Sequence, residues 1–479
     1  MYDLVIIGAG VIGCAIAQRM GEYSGKVLVI DKADDVSQGA SKANSGIVHA
    51  GYDAKPGTEK ARLNVKGAGM MQALCLRLGV PYGMPGAMVL GFQEEDRVAL
   101  TALLQNAERN GVPGCRLIER SEILELEPHI NPQVLLALLV PSSGLVSPYE
   151  LTCALADSAG ENGVEFMLDT AVTALFNQDG MWQVQTEKGA FQSRAVINCA
   201  GTGAGVLHNQ ISSRKVNIIP RRGQYYLLDH TLPLKFRRTL FQVPTKMGKG
   251  VLVSPTTHGN LLLGPTAEDI PDAEDTATTG AGLSDVISKV RLTYPEVSLR
   301  EVITTFSGIR AHETEGDFII GAVEGAMPGA FEAIGIESPG LSAAPAIGQE
   351  MGDWVAWYLQ LEKNPEYVAP TPLEKPFNGM NEAERRIAYE NDPDYGRIVC
   401  RCEQVTEAEV RRAIRRPVGA RSLDGVKLRT RAGMGRCQGG FCSARVMQIL
   451  AEELGVGLNE VTKSGQGSWV LGGGIGGEK

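Results

Sequence analysis

Four of the nine cysteines in this 479-residue chain fall in one short region, as Cys400-x-Cys402 and Cys437-x4-Cys442. Four thiolates so spaced suit either an iron–sulfur cluster or a zinc ion. Zinc knuckles more often use C-x2-C pairs, and the tight C-x-C pair is unusual for them. Residues 433–442 supply glycines and backbone N–H groups around two of the sulfurs, as an anionic cluster requires. Arg401, Arg429, Arg431 and Arg436 add positive charge nearby. The other five cysteines, Cys14, Cys75, Cys115, Cys153 and Cys199, sit among apolar neighbours and read as buried thiols of a reducing compartment.

A second chemistry-bearing pattern opens the chain. Gly8, Gly10 and Gly13 form G-x-G-x-x-G between an apolar run at 2–7 and a helical stretch reaching about Met20. The first glycine permits a tight turn, the second lets backbone approach a pyrophosphate, and the third lets helix and strand pack closely. The helix N-terminus offers unpaired N–H groups to phosphates. Asp31, at the end of the next strand (26–30), can accept hydrogen bonds from ribose hydroxyls. These residues alone specify a dinucleotide and leave NAD and FAD both open. The following segment, 39–51, is rich in glycine and small polar residues, among them Ser41, Asn44, Ser45 and Gly46, and so lets backbone approach a large flat ligand. His49 in that segment could take a hydroxyl proton. Arg310, His312 and the Arg221-Arg222 pair are candidates for gripping an anion, with Arg222 leading into Gly223-Gln224 at a strand start.

The elements that must position these groups follow from periodicity. Residues 60–79, 94–110, 283–293 and 341–360 read as helices, and strand patterns appear at 164–190, 195–199, 224–228, 250–254, 260–264 and 331–336. Residues 361–394, rich in Pro, Glu and Asn, read as a linker. A capping box at 406–409 opens a short basic helix, a second helix starts at Cys442, and a Gly-rich tail from about 464 reads as mobile or draped on a partner.

Residues 1–360 resemble the D-amino-acid oxidase-like superfamily of FAD-dependent oxidoreductases, through Gly8, Gly10, Gly13 and the 39–51 segment. Asn198-Cys199-Ala200-Gly201 looks like that family's second pyrophosphate-side segment, and Ser307-Gly308-Ile309-Arg310 like its substrate-arginine segment. Residues 335–342, including Pro339, Gly340, Leu341 and Ser342, look like the turn that sets a helix N-terminus at the flavin pyrimidine end. The resemblance places Val172 at an adenine contact. Residues 398–455 resemble the bacterioferritin-associated ferredoxin-like [2Fe–2S] domain, which implies Cys400, Cys402, Cys437 and Cys442 as cluster ligands.

The expected fold is therefore α/β, a Rossmann-like FAD domain (1–82, 146–205 and 305–360) with an inserted α+β antiparallel-sheet substrate domain (83–145 and 206–304). A linker (361–394), a small helical iron–sulfur domain (395–456) and the tail (457–479) follow. The whole resembles FAD subunits of anaerobic-type glycerol-3-phosphate dehydrogenases. This implies hydride transfer from glycerol-3-phosphate to flavin N5, His49 and Arg310 as catalytic residues, and Arg310, His312 and Arg222 as substrate contacts. Residues 44–69 also resemble L-2-hydroxyglutarate dehydrogenases. Amino-acid or amine oxidation, or service as an electron-transfer subunit of a larger complex, uses the same scaffold.

Composition bounds the partners. Net charge is −9, which argues against nucleic acid. Residues 396–479 carry 14 Lys+Arg against 8 Asp+Glu, so +6, leaving −15 for the remainder. Such a basic end on an acidic body marks a docking surface, a site for an anionic cluster, or a solvated face. The start Met1-Tyr2-Asp3 lacks a basic leader and no apolar run reaches membrane-helix length, so a cytoplasmic chain is expected, with at most peripheral membrane association through a partner. The expected partners are a small anionic hydroxy substrate and a second redox subunit that accepts electrons. Replacing Cys437 with Ser is expected to abolish bound iron and the broad visible thiolate-to-iron absorption while leaving flavin reduction by substrate intact. Metal analysis and spectra check this, and stoichiometric zinc without iron in the parent protein would refute the cluster.

Overall fold

The computed structural model describes residues 1–232, 236–244 and 250–472. Strand Tyr2–Ile7 is apolar from Leu4 onward because it is covered on both faces, the signature of an interior parallel strand. It pairs in parallel with Val27–Ile30 on one side and Gly189–Asn198 on the other. Glu165–Met167 extends the first side, and Ala330–Ile334 pairs in parallel with the far end of Gly189–Asn198. The resulting eight-stranded sheet is the Rossmann-like layer. Helix Val11–Met20 lies on it, covered in turn by helices Pro148–Glu161 and Gly340–Leu359.

A nine-stranded second sheet forms the inserted layer. Its spine is the long antiparallel pair Ile218–Leu228 and Val302–Glu313. The sheet is antiparallel except at one joint, where Thr239–Gln242 runs parallel to Ala87–Gly91. That joint is where the two inserted stretches of sequence meet. The structure carries strand Val302–Glu313 in this sheet past residue 305, so the boundary expected there falls inside a strand. A small three-stranded sheet, Ile47–Val48, Gly144–Val146 and Tyr82–Gly83, bridges the two layers.

The expected linker holds a helix, Glu382–Asn391, which Pro and Asn content had masked. Its Asn381–Glu384 capping box satisfies the first-turn amides although the helix buries no residue. The C-terminal unit consists of strands Ile398–Cys400 and Val405–Thr406 with helices Glu407–Arg415, Leu423–Thr430 and Ser443–Leu454 around their own apolar core. The expected tail is draped on this unit itself: Thr462 and Lys463 carbonyls accept from Leu423 and Asp424 amides. Its end, 473–479, lies outside the described residues.

Helices Glu59–Leu78 and Gly340–Leu359 cross in backbone contact. A Cβ on Gly67 would stand 2.2 Å from the Ser342 carbonyl oxygen, so only glycine permits the crossing. Gly67→Ala is therefore expected to lower unfolding stability by about 1–3 kcal/mol, the cost of forcing apart a packed contact. Chemical denaturation of the two proteins checks this.

Candidate functional site

All three units contribute to one cavity of about 1550 Å³. Ordinary small-molecule pockets enclose roughly 300–1,000 Å³, so the space suits a dinucleotide together with a small substrate. At one end lie Gly8, Gly10 and Val11 at the start of helix Val11–Met20, with Asp31 and Val172 beside them. Gly13 is behind the wall: a Cβ there would meet the Gly8 carbonyl oxygen at 1.9 Å, the close helix–strand packing expected of the third glycine. Asp31 accepts from the Ala9 amide at 2.6 Å and the Ala33 amide at 2.8 Å. Burial lifts its carboxyl above the usual carboxylate range despite these bonds. Ser41, Asn44, Ser45 and Gly46 line the middle of the cavity. The Ser41 hydroxyl accepts from the Val11 amide at 2.8 Å, and the Asn44 carboxamide caps its own turn through the Gly46 amide. Ala200 and Gly201 close this side.

Pro339, Gly340 and Leu341 reach the cavity where helix Gly340–Leu359 begins. Ser342 stays behind the wall, fully buried, and does a different job from ligand contact. Its hydroxyl accepts from the His49 amide at 2.7 Å and so fixes the chain that carries the histidine. The Asn64 carboxamide, oriented to satisfy both groups, joins the His49 carbonyl to the Gly51 amide. The His49 ring itself faces the cavity and packs on Phe241 with centroids 5.7 Å apart.

The spine of the second sheet supplies the cations. Gly308 pairs opposite Gly223, and Arg310 opposite Arg221. Directly opposed residues share a face, so all four look the same way. A Cβ on Gly308 would lie 1.9 Å from the Ala43 carbonyl oxygen; glycine lets the strand touch the 39–51 segment. A Cβ on Gly223 would strike the Arg310 guanidinium, so that glycine makes room for it. Arg310 lines the cavity with one hydrogen bond, to the Thr266 carbonyl at 3.3 Å, and no ion pair among the described residues. Arg221 also lines it, bound to Asp269. The structure does not bring Arg222 there: strand alternation turns it to the other face, where Glu268 and Asp275 hold it. His312 is one step beyond the cavity, against Glu337 at 3.2 Å. Burial pushes the Glu337 carboxyl up, but Lys60 and His312 outweigh it and hold it below its ordinary value.

In the C-terminal unit the four cysteines form two pairs. Cys402 and Cys437 sulfurs are 3.8 Å apart, and Cys400 contacts Cys442. About 3.8 Å is the separation of two sulfurs each ~2.3 Å from one metal at the tetrahedral angle. Two such pairs fit a [2Fe–2S] cluster, in which each iron would take one cysteine pair. Contact with Cys442 draws the Cys400 thiol down to about 6, assisted by the Gly433 and Glu403 amides. The Phe441 amide, then Gly439, lowers Cys437. N–H groups aimed at sulfur are what an anionic cluster needs.

The basic residues of this unit do not all surround the cluster. Arg429, wholly buried, donates to both Asp35 oxygens at 2.5 and 2.7 Å. Arg416 pairs with Asp157. Arg431, a left-handed residue ending helix Leu423–Thr430, bonds Glu403 at 2.8 Å, Tyr149 at 3.0 Å and Asn260 at 3.2 Å. Arg416, Arg429 and Arg431 thus tie the unit to the rest of the chain, whereas Arg411, Arg415 and Arg445 pair with acids of the unit itself. Asp424, Lys427, Leu428, Arg431, Met434 and Gln438 thereby become part of the cavity wall. Sequence reasoning missed this junction, since no motif announces that Tyr149 and Asn260 meet Arg431.

Residues 3–354 match the family described as FAD dependent oxidoreductase, and residues 398–452 the BFD-like [2Fe-2S] binding domain. The chain is 44% identical to a glycerol 3-phosphate dehydrogenase of Caloramator mitchellensis, over 98% of both chains. It is 25% identical to the mitochondrial L-2-hydroxyglutarate dehydrogenase of Arabidopsis thaliana, over 73% of this chain and 83% of that one. Among solved structures, the dithionite-reduced, FAD-bound L-alpha-glycerophosphate oxidase of Mycoplasma pneumoniae superimposes with a TM-score of 0.74 at 32% identity, covering 78% of this chain and 99% of that one. The glycine cradle and the paired sulfurs fit the two cofactors these families carry: the chain belongs to the FAD-dependent oxidoreductases and ends in a [2Fe–2S]-binding domain.

Proposed function

We propose that the chain oxidises glycerol-3-phosphate to dihydroxyacetone phosphate and delivers the electrons, through its C-terminal domain, to a second redox protein. The observation that carries this reading is Arg310: a cavity-lining guanidinium with no carboxylate partner among the described residues, opposed in register by Arg221. Arg310, with Arg221 beside it held by Asp269, suits a phosphate anion, because guanidinium forks onto phosphate oxygens. The 44% identity to the Caloramator mitchellensis dehydrogenase supports the same substrate.

Bound FAD supplies a two-electron acceptor and the cluster a one-electron carrier, a combination that lets a pair of substrate electrons leave singly. The chain's own residues do the rest. Arg310 and Arg221 anchor the phosphate and so fix the carbinol carbon's position. The His49 ring, held by the Ser342 contact to its backbone, takes the hydroxyl proton as the C–H bond breaks. Phe241 beside it and Tyr225 on the strand wall keep water from that proton path. His312 and Lys60 hold Glu337 ionised near the helix turn, a positioning role. Asp31 receives the adenosine ribose, and Val172 the adenine.

The acceptor is read as a separate redox subunit because a [2Fe–2S]-binding domain hands electrons on singly. No helix among the described residues is long and apolar enough to cross a membrane. The reading places the enzyme in the cytoplasm, meeting any membrane only through that partner.

An anaerobic panel read at the flavin band tests the substrate. Glycerol-3-phosphate is expected to bleach it, and 2-hydroxyglutarate and proline are not; bleaching only by a reduced partner protein would replace this reading with that of an electron-transfer subunit. His49→Gln should slow flavin reduction by about 10²–10⁴-fold with little change in substrate binding. Arg310→Ala should weaken binding about ten- to hundredfold, the range for a lost charged hydrogen bond. Stopped-flow reduction across substrate concentrations separates the two effects.

A further inference from the structure

The cavity has a wall that the FAD-dependent oxidoreductase fold does not itself supply. Leu428, Arg431, Met434 and Gln438 belong to the cluster domain, yet line the same space as the dinucleotide glycines and His49. The wall is fastened at three places. Arg429 grips Asp35 on the Rossmann-like layer. Arg416 and the Val418 amide grip Asp157 on helix Pro148–Glu161. Arg431 ties Tyr149 to Asn260, and so to the strands of the second sheet. Electron transfer alone would need only proximity, whereas these ties fasten the domain along one side of the cavity.

The relatives differ in one respect that bears on the seam. The Mycoplasma pneumoniae oxidase is matched over 99% of its length by 78% of this chain, which leaves it no counterpart of the cluster domain. The Caloramator mitchellensis dehydrogenase is matched over 98% of both chains.

We infer that the docked cluster domain is the oxygen barrier of the flavin, and that undocking it converts this chain into a hydrogen-peroxide-forming oxidase. In the suppressed reaction, O2 takes two electrons and the N5 proton from the reduced flavin anion and one further proton from water. The products are oxidised flavin, hydrogen peroxide and the hydroxide left by that water. O2 must reach the flavin and solvent must supply the proton, so a wall that covers this side of the cavity restricts both and holds the reaction back. Lys42 and Lys427 reinforce the seam: one from each side, both line the cavity and are buried deeply enough that desolvation lowers their pKa.

The inference rests on the flavin and not on the substrate, so the test reduces the flavin without substrate. Full-length holoenzyme is reduced anaerobically with light or dithionite and mixed with aerated buffer, while reoxidation and peroxide are followed. Iodide quenching of flavin fluorescence reports the wall independently of turnover. Wild type is expected to be shielded from iodide and to reoxidise slowly. The double variant Arg416→Leu/Arg429→Leu, which touches no catalytic group, is expected to become quenchable and to reoxidise at least about tenfold faster with stoichiometric peroxide. Leu428→Ala/Met434→Ala, which thins the wall with the ion pairs intact, should give a smaller rise. A double arginine variant that is exposed yet slow, or that stays shielded, overturns the inference, as does wild-type reoxidation at the rate of free reduced FAD. Failure of glycerol-3-phosphate to bleach the flavin leaves all these outcomes unchanged and bears only on the substrate.

Discussion

One buried ion pair, Arg429 with Asp35, governs how the parts of this molecule relate. Both side chains are essentially out of water, so each charge is tolerable only because the other is there. Removing one partner of such a pair commonly costs about 3–5 kcal/mol. Two of the three acids in the loop after strand Val27–Ile30 have separate duties. Asp31 faces the cavity, while Asp35, four residues on, faces the C-terminal unit. The position of the cluster is thereby referenced to the same short loop that positions the nucleotide.

The second sheet shows how glycine and alternation share out roles on one strand pair. Gly308 and Gly223 admit close neighbours, Arg221 and Arg310 follow on the same face, and Arg222 is turned away to its own acids. A register shift of one residue in Ile218–Leu228 would put Arg222 in the cavity and turn Arg221 away from it. Here the twelve-residue strand Val302–Glu313 sets that register by its long pairing with Ile218–Leu228.

Local features were legible in the sequence and relational ones were not. The glycine motif, Asp31, the 39–46 segment and the helix start at Gly340 could be read because each acts through its own backbone. The cysteine quartet announced a metal site through spacing alone. Arg221 over Arg222 could not be decided without strand register, and Ser342 read as a ligand contact until its hydroxyl was seen holding the His49 amide. The helix Glu382–Asn391 hid in a Pro- and Asn-rich stretch because its stability comes from capping and not from an apolar face. The +6 charge of residues 396–479 was visible, but that two of its arginines go to Asp35 and Asp157 depends on contacts some 260–390 residues apart in the chain.

The order of strands in the first sheet also sets a timetable for the nascent chain. Tyr2–Ile7 leaves the ribosome first, yet its neighbour is Gly189–Asn198, whose own neighbour is Ala330–Ile334. At ~5–20 residues per second, roughly 15–65 s of synthesis separate the first strand from the last. Over that interval the apolar strand Tyr2–Ile7 lacks part of its cover, and the dinucleotide cradle lacks the helix that begins at Gly340. Flavin capture is therefore a late event in the birth of this chain, and docking of the cluster domain, encoded last, is the step that follows it.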